Sequence, residues 1–261
     1  MYGEQSILDP FFMALYGGTA LLTLVAALYL LLRRSNVIAP DVCSSRMLRR
    51  WTAAFFLASA LSHVWWYVLG TVWLTDDRLV RNLTAIILDN LTLVPLVLAV
   101  LLAMLQDRRR PVWPWWLAQV PVVVMGAVGI DRHDVFWGYT LPHCWQVAVI
   151  AAFVVYYVFA VRRYGRWLLD NFADLDRKEV WQSLVFALAL FAAYEVYTSN
   201  GGDLMREYLA QVLTLVIVGF LVWRVETLEE LQNEWGGVKM RRNHVADYTD
   251  LMTNSETNTN H

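Results

Sequence analysis

Seven apolar runs divide this chain, each ended by charge or by turn-forming residues: 11–32, 51–73, 83–105, 112–130, 141–161, 180–197 and 208–225. A helix rises about 1.5 Å per residue and a hydrocarbon core is about 30 Å thick, so each run is about long enough to cross a bilayer. The pattern predicts an all-α polytopic membrane protein with seven transmembrane helices. Pro114 and Pro121 fall in the fourth run and predict a kink or a late start there. The stretch RYGRWLLDNFADLDRK, 163–178, brings Trp167, Leu168, Phe172 and Leu175 roughly onto one side of a helix, as in an interfacial or cytoplasmic helix. After the last run, WRVETLEELQNEW predicts two or three further helical turns, ended by Gly236-Gly237. The membrane domain is therefore read as 1–235. The remainder, 236–261, is rich in Asn, Thr, Asp and Glu and is expected to be a disordered cytoplasmic tail.

Composition agrees with that pattern: 58% of the 261 residues are hydrophobic and 13 are Trp, an apolar share above that of most soluble domains. The placement of charge adds an orientation. Loops one–two, three–four and five–six, together with the C-terminal segment, hold 17 of the 21 Lys and Arg residues. By the positive-inside bias the N-terminus is outside and the C-terminus cytoplasmic. Trp65, Trp66, Trp73, Trp137 and Trp145 then form an outer aromatic belt. Trp113, Trp115, Trp116, Trp181 and Trp223 form an inner one. Cys43 and Cys144 fall on opposite sides and cannot pair. The opening MYGEQSILD lacks a basic n-region and is expected to be retained.

The chemistry lies in the few polar residues inside the runs. Asp89 and Asn90 sit well within the third, His63 in the second, His143 and Gln146 early in the fifth, and Glu195 in the sixth. An ionisable group at such depth costs a few kcal/mol or more and turns away from lipid toward a neighbouring helix, a partner or water. His63, Asp89, His143, Gln146 and Glu195 fall in the outer half. The functional expectation is an outward-opening polar pocket between helices two, three, five and six. There His63 and Asp89 form a charge-assisted pair, with His143 and Glu195 at the mouth. The plainer expectation is that each bonds a local carbonyl or a neighbouring helix and only holds the bundle together. Pro95 predicts a kink below Asp89. Gly17-Gly18 predicts close helix packing.

Several classes are excluded. Retinal needs a lysine within the bundle, and Lys178 and Lys239 both lie in cytoplasmic segments. Aspartyl proteolysis needs two facing carboxylates, yet Asp89 is the sole Asp in any run; HExxH is absent. Haem ligation by His63 and His143 is conceivable but disfavoured, since it would need matched depth and they differ by roughly two turns. No catalytic activity, cofactor or metal is expected.

The stretch YGRWLLDNFADLDRKEVWQSL, 164–184, followed by VGFLVWRVETLEEL, 218–231, resembles the membrane half of bacterial membrane-anchored AraC-type helix-turn-helix regulators. The resemblance covers runs one to seven and implies a multi-pass sensor of a bacterial inner (plasma) membrane. After Leu231 only 30 residues remain, without the basic charge or apolar periodicity of a helix-turn-helix. The chain itself is therefore not expected to bind nucleic acid. The expected partners are the lipid bilayer, a small-molecule ligand from outside or from the membrane, a separate cytoplasmic regulator, and a second copy in a homodimer. The competing reading is a proton- or ion-coupled transporter using His63, Asp89 and Glu195 as relay groups.

Overall fold

The computed structural model describes residues 9–33, 35–71, 77–172, 180–198 and 203–231. Its helical body belongs to Met1–Glu229. Of Glu230–His261 only the first two residues are described, so the expected disordered tail lies outside the described residues.

The described residues form helices and loops, without strands. The helices are α1 Pro10–Leu32, α2 Arg46–Thr71, α3 Arg78–Ala103, α4 Trp113–Leu117, α5 Val120–Arg132, α6 Leu141–Asn171, α7 Trp181–Thr198 and α8 Asp203–Thr227. Six segments are long and apolar enough to cross a membrane: α1, α2, α3, the α4–α5 pair, α6 with its leading π-turn, and α8. In α7 the described apolar part, Trp181–Leu190, is shorter. Six or seven spans are thus compatible with a polytopic membrane protein.

On α1 many of the bulky aliphatic residues face outward, while small and hydroxyl-bearing residues are prominent on its buried side. On α1 the buried stripe is Phe12, Tyr16, Thr19, Thr23, Ala26, Ala27 and Leu30, at the three- and four-residue spacing of one helix face. Leu21, Val25, Leu28 and Leu32 face out. In water that arrangement would be unfavourable. In lipid the outward Leu and Val find an apolar solvent, and small residues inside let backbones approach. Helix α1 packs mainly on α2, α2 on α3, and α8 against α1 and α2.

At one end of the bundle Asp9 caps α1, accepting from the Phe11 amide at 2.9 Å and from the Tyr208 hydroxyl on α8 at 2.6 Å. The Tyr208 hydroxyl, helped by the amides of Phe12 and Phe11, holds the Asp9 carboxyl below its usual range. At the other end Glu226 of α8 accepts from the amides of Val37 and Ile38 and from the Tyr29 hydroxyl. Beside it, the Asn36 side chain donates to Glu226 O at 3.0 Å and accepts from Ser44 and Arg49 at 2.9 and 2.7 Å. Together these bonds tie the α1–α2 loop to the end of α8.

The fourth run is broken as its prolines require: α4 and α5 are separate, with Pro114 and Pro121 each in the first turn. Three expectations are corrected. Residues 163–171 do not begin a separate interfacial helix but continue α6 to Asn171, while 173–179 lie outside the described residues. Helix α8 ends at Thr227, so the predicted two or three further turns do not form over 228–231. Gly17 and Gly18 are exposed, and a Cβ on either would meet nothing within 4 Å. The close approach is instead at Gly129 of α5, where a Cβ would run into the Gly138 backbone. The bare Cα of Gly129 lets α5 fold back against the π-turn Phe136–Thr140 that leads into α6, while a Cβ on Gly138 would meet Leu83 of α3.

Candidate functional site

Asp89 projects from α3 toward α2 and accepts three hydrogen bonds there: from Ser62 Oγ at 2.6 Å, Trp65 Nε1 at 3.1 Å and Trp66 Nε1 at 2.7 Å. Ser62, Trp65 and Trp66 stand at i, i+3 and i+4, so one face of α2 aims all three donors at the carboxylate. Ionised carboxylates accept only, and three donors satisfy most of that capacity inside the bundle.

His63 follows Ser62 by one residue and is therefore turned about 100° around the helix, away from α3. Its Nδ1 meets Ser59 O at 2.8 Å and its Nε2 meets the Gln211 side-chain amide of α8 at 3.0 Å. A carbonyl oxygen can only accept, so Nδ1 donates to Ser59 O; the Gln211 atom at Nε2 is Oε1, likewise an acceptor. The Tyr16 ring of α1 lies 4.9 Å from the imidazole, and its hydroxyl donates to His63 O. The expected His63–Asp89 ion pair is thus not formed, because both ring nitrogens of His63 are engaged by Ser59 O and the Gln211 side chain.

Both residues nevertheless line one chamber of about 210 Å³, walled by Tyr16, Ser59, Ser62, His63, Trp66, Asp89, Leu93, Glu207, Ala210, Gln211 and Thr214. These come from α1, α2, α3 and α8, not from helices two, three, five and six as expected. Glu207 is buried here; as the residue just before the predicted seventh run it drew no attention in the sequence. A second chamber of about 320 Å³ adjoins the first and is almost wholly apolar, lined by residues of α2, α3, α6, α7 and α8. Ser59, Leu93, Ala210 and Thr214 belong to both walls.

The other candidates fall elsewhere. Asn90 donates to Ile86 O at 2.8 Å within its own helix, the plainer of the two expectations. His143 is half-buried in the first turn of α6 and lines neither chamber. Gln146 is buried on α6, and neither atom of its amide group finds a partner among the described residues; Gln119 is in the same position. The side chain of Glu195 lies outside the described residues, as does Trp73. Cys43 and Cys144 are free thiols. Among the described residues no cluster of three His, Cys, Asp or Glu is placed to hold a metal.

Three groups of site residues escaped sequence reasoning. Trp65 and Trp66 were legible only as belt residues, although a serine and two indoles at i, i+3 and i+4 at the depth of Asp89 were a usable signal. Tyr16 and Gln211 gave no signal, since their partner is His63 across forty or more residues of chain. The bonds around Glu226 gather a loop and two helix ends that no local pattern connects. Comparison of the chain with protein-family models, with curated proteins and with solved structures gave no match.

Proposed function

We propose that this chain is the membrane-embedded sensor domain of a bacterial signalling or transcription-regulatory system, set in the inner membrane with its N-terminus outside and its C-terminus in the cytoplasm. A small ligand entering the polar chamber biases the bundle between two packings, and α8 carries the change to a separate cytoplasmic regulator. One observation carries this reading: α8 walls the chamber through Glu207, Ala210, Gln211 and Thr214, and the same helix ends in the Glu226 clamp on the α1–α2 loop. A displacement at the chamber is thereby placed in mechanical series with the far end, which is what a switch needs if its ligand prefers one packing. The resemblance of 164–184 and 218–231 to membrane-anchored AraC-type regulators supports the same reading. A proton-coupled transporter would need a polar path onward from Asp89. The chamber opens instead on an apolar cavity in which Ser59 and Thr214 supply hydroxyls, and Thr214 Oγ1 is bonded to Ala210 O.

The test needs no ligand. Gln211→Leu removes the partner of His63 and alters the chamber wall. In lipid nanodiscs, amide hydrogen exchange at Val37 and Ile38 is expected to quicken several-fold in this variant. Val216→Ala, on the outward face of the same helix, leaves it unchanged. Identical protection in Gln211→Leu and the parent would overturn the reading.

A further inference from the structure

We infer that the apolar chamber receives an uncharged hydrophobe ending in a hydroxyl group, drawn from the bilayer, with that hydroxyl seated at the wall shared with the polar chamber. The apolar space measures about 320 Å³ and is bounded by five helices, among them through Phe55 of α2, Leu98 of α3, Phe153 of α6, Ala187 of α7 and Ile217 of α8. Protein interiors leave few voids larger than a water molecule, and small-molecule sites occupy roughly 300–1,000 Å³ with a mostly apolar lining. Among the described lining residues of this chamber none is ionisable. A charged group carried into it would lose its hydration and meet no counter-charge. The body of the occupant is therefore uncharged hydrocarbon, which the surrounding lipid phase can supply.

Two hydroxyls at the shared wall set the head. Of the four residues common to both chambers, Ser59, Leu93, Ala210 and Thr214, only Ser59 and Thr214 carry a polar side-chain atom. Thr214 Oγ1 commits its proton to Ala210 O at 2.8 Å, which leaves it lone pairs and no donor. The Ser59 carbonyl accepts from His63 Nδ1 at 2.8 Å, while the Ser59 hydroxyl has no hydrogen-bond partner among the described residues and keeps a proton to donate. One wall oxygen thus needs a donor and the other offers one. A ligand hydroxyl answers both; an ether, carbonyl or carboxylate oxygen can only accept, and an ammonium can only donate. Ser59 lies one turn before His63 on α2, and Thr214 one turn after Gln211 on α8. The bound hydroxyl therefore bridges the same two helices as the His63–Gln211 contact.

As ligand of the proposed sensor, such a molecule takes its signalling role from that reading, but its binding is measured separately. The full chain in phosphatidylcholine nanodiscs is irradiated with a dodecanol carrying a diazirine in mid-chain. Adducts are mapped by peptide mass spectrometry, with unlabelled dodecanol, dodecane, dodecylamine or dodecanoate as competitor. Saturable adducts are expected on Leu98, Phe153 and Ile217, and dodecanol is expected to displace them at lower mole fraction than either charged amphiphile. Ser59→Ala is expected to weaken displacement by dodecanol about three- to tenfold, the loss of one hydrogen bond, and to leave displacement by dodecane unchanged. Thr214→Val, which keeps the side-chain shape, is expected to act in the same way and decides if Ser59→Ala does not fold. Adducts confined to the outward-facing Val155, Phe159 and Val216, a charged amphiphile displacing the probe as well as dodecanol does, or an equal response of dodecanol and dodecane to these substitutions would overturn the inference. Saturable alcohol binding that leaves Val37 and Ile38 exchange untouched would sink the sensor reading while the ligand class stands; no saturable labelling, with Gln211→Leu still quickening exchange, would do the reverse.

Discussion

Asp89 stays within the bundle because Ser62, Trp65 and Trp66 meet it with three N–H or O–H donors. Hydrogen bonds to charged groups contribute about 1.5–3 kcal/mol each, and a buried acceptor deprived of its donor loses more than the bond. Trp66→Phe keeps the ring and removes the donor; it is expected to destabilise the folded protein by about 1–3 kcal/mol. In the double variant with Asp89→Asn the two losses should not add, since both act on one interaction. Unfolding titrations in detergent check this, and a neutral Trp66→Phe would mean the indole N–H is idle. Depth and cost were readable at this scale: the sequence marks Asp89 as a group that must find company. The identity of the company was not, because a belt tryptophan and a donor tryptophan look alike until the helix rotation is known. The same rotation separates His63 from Asp89, adjacent as Ser62 and His63 are in the chain.

Elements follow their local punctuation where the punctuation is strong. Pro114 and Pro121 each start a helix, and Asp9 and Asp77 each cap one with a side-chain oxygen. Where punctuation is weak the chain was misread. The segment 163–171 has both an amphipathic look and nothing to stop a helix, and the helix simply runs on to Asn171. Beyond Thr227 the sequence favours helix by propensity, yet the chain turns off as a bend and coil, with Glu226 held by the α1–α2 loop, a case of tertiary contacts overriding propensity. The glycines illustrate the same limit. Gly17-Gly18 resembles a packing motif but faces outward, whereas Gly129 and Gly138 make the contact. Gly129→Leu is therefore expected to split α5 from the π-turn and to abolish folding or lower the yield of folded protein severely, while Gly17→Leu is tolerated. Size-exclusion profiles of the two variants in detergent test the contrast.

Over the whole molecule, orientation is the property that the charge pattern proposes and that labelling can decide. Cys43, in the α1–α2 loop, and Cys144, in the first turn of α6, are both exposed free thiols. In right-side-out vesicles a membrane-impermeant maleimide is expected to modify Cys144 and to spare Cys43 until the membrane is opened; the opposite pattern would invert the proposed topology. The sequence by itself determined that the chain is helical, that it is apolar enough to cross a membrane several times, and that a carboxyl group lies deep in its third run. These are properties of composition and of one-dimensional spacing, and solvent alone enforces them, since backbone groups in lipid must be satisfied within a helix. The tertiary structure decided which helices surround that carboxyl group, that its neighbours are a serine and two indoles and not an imidazole, and that Glu207 joins the same chamber. Those are matters of azimuth and register between helices, set by packing between separate segments of the chain, and the run pattern alone does not carry them.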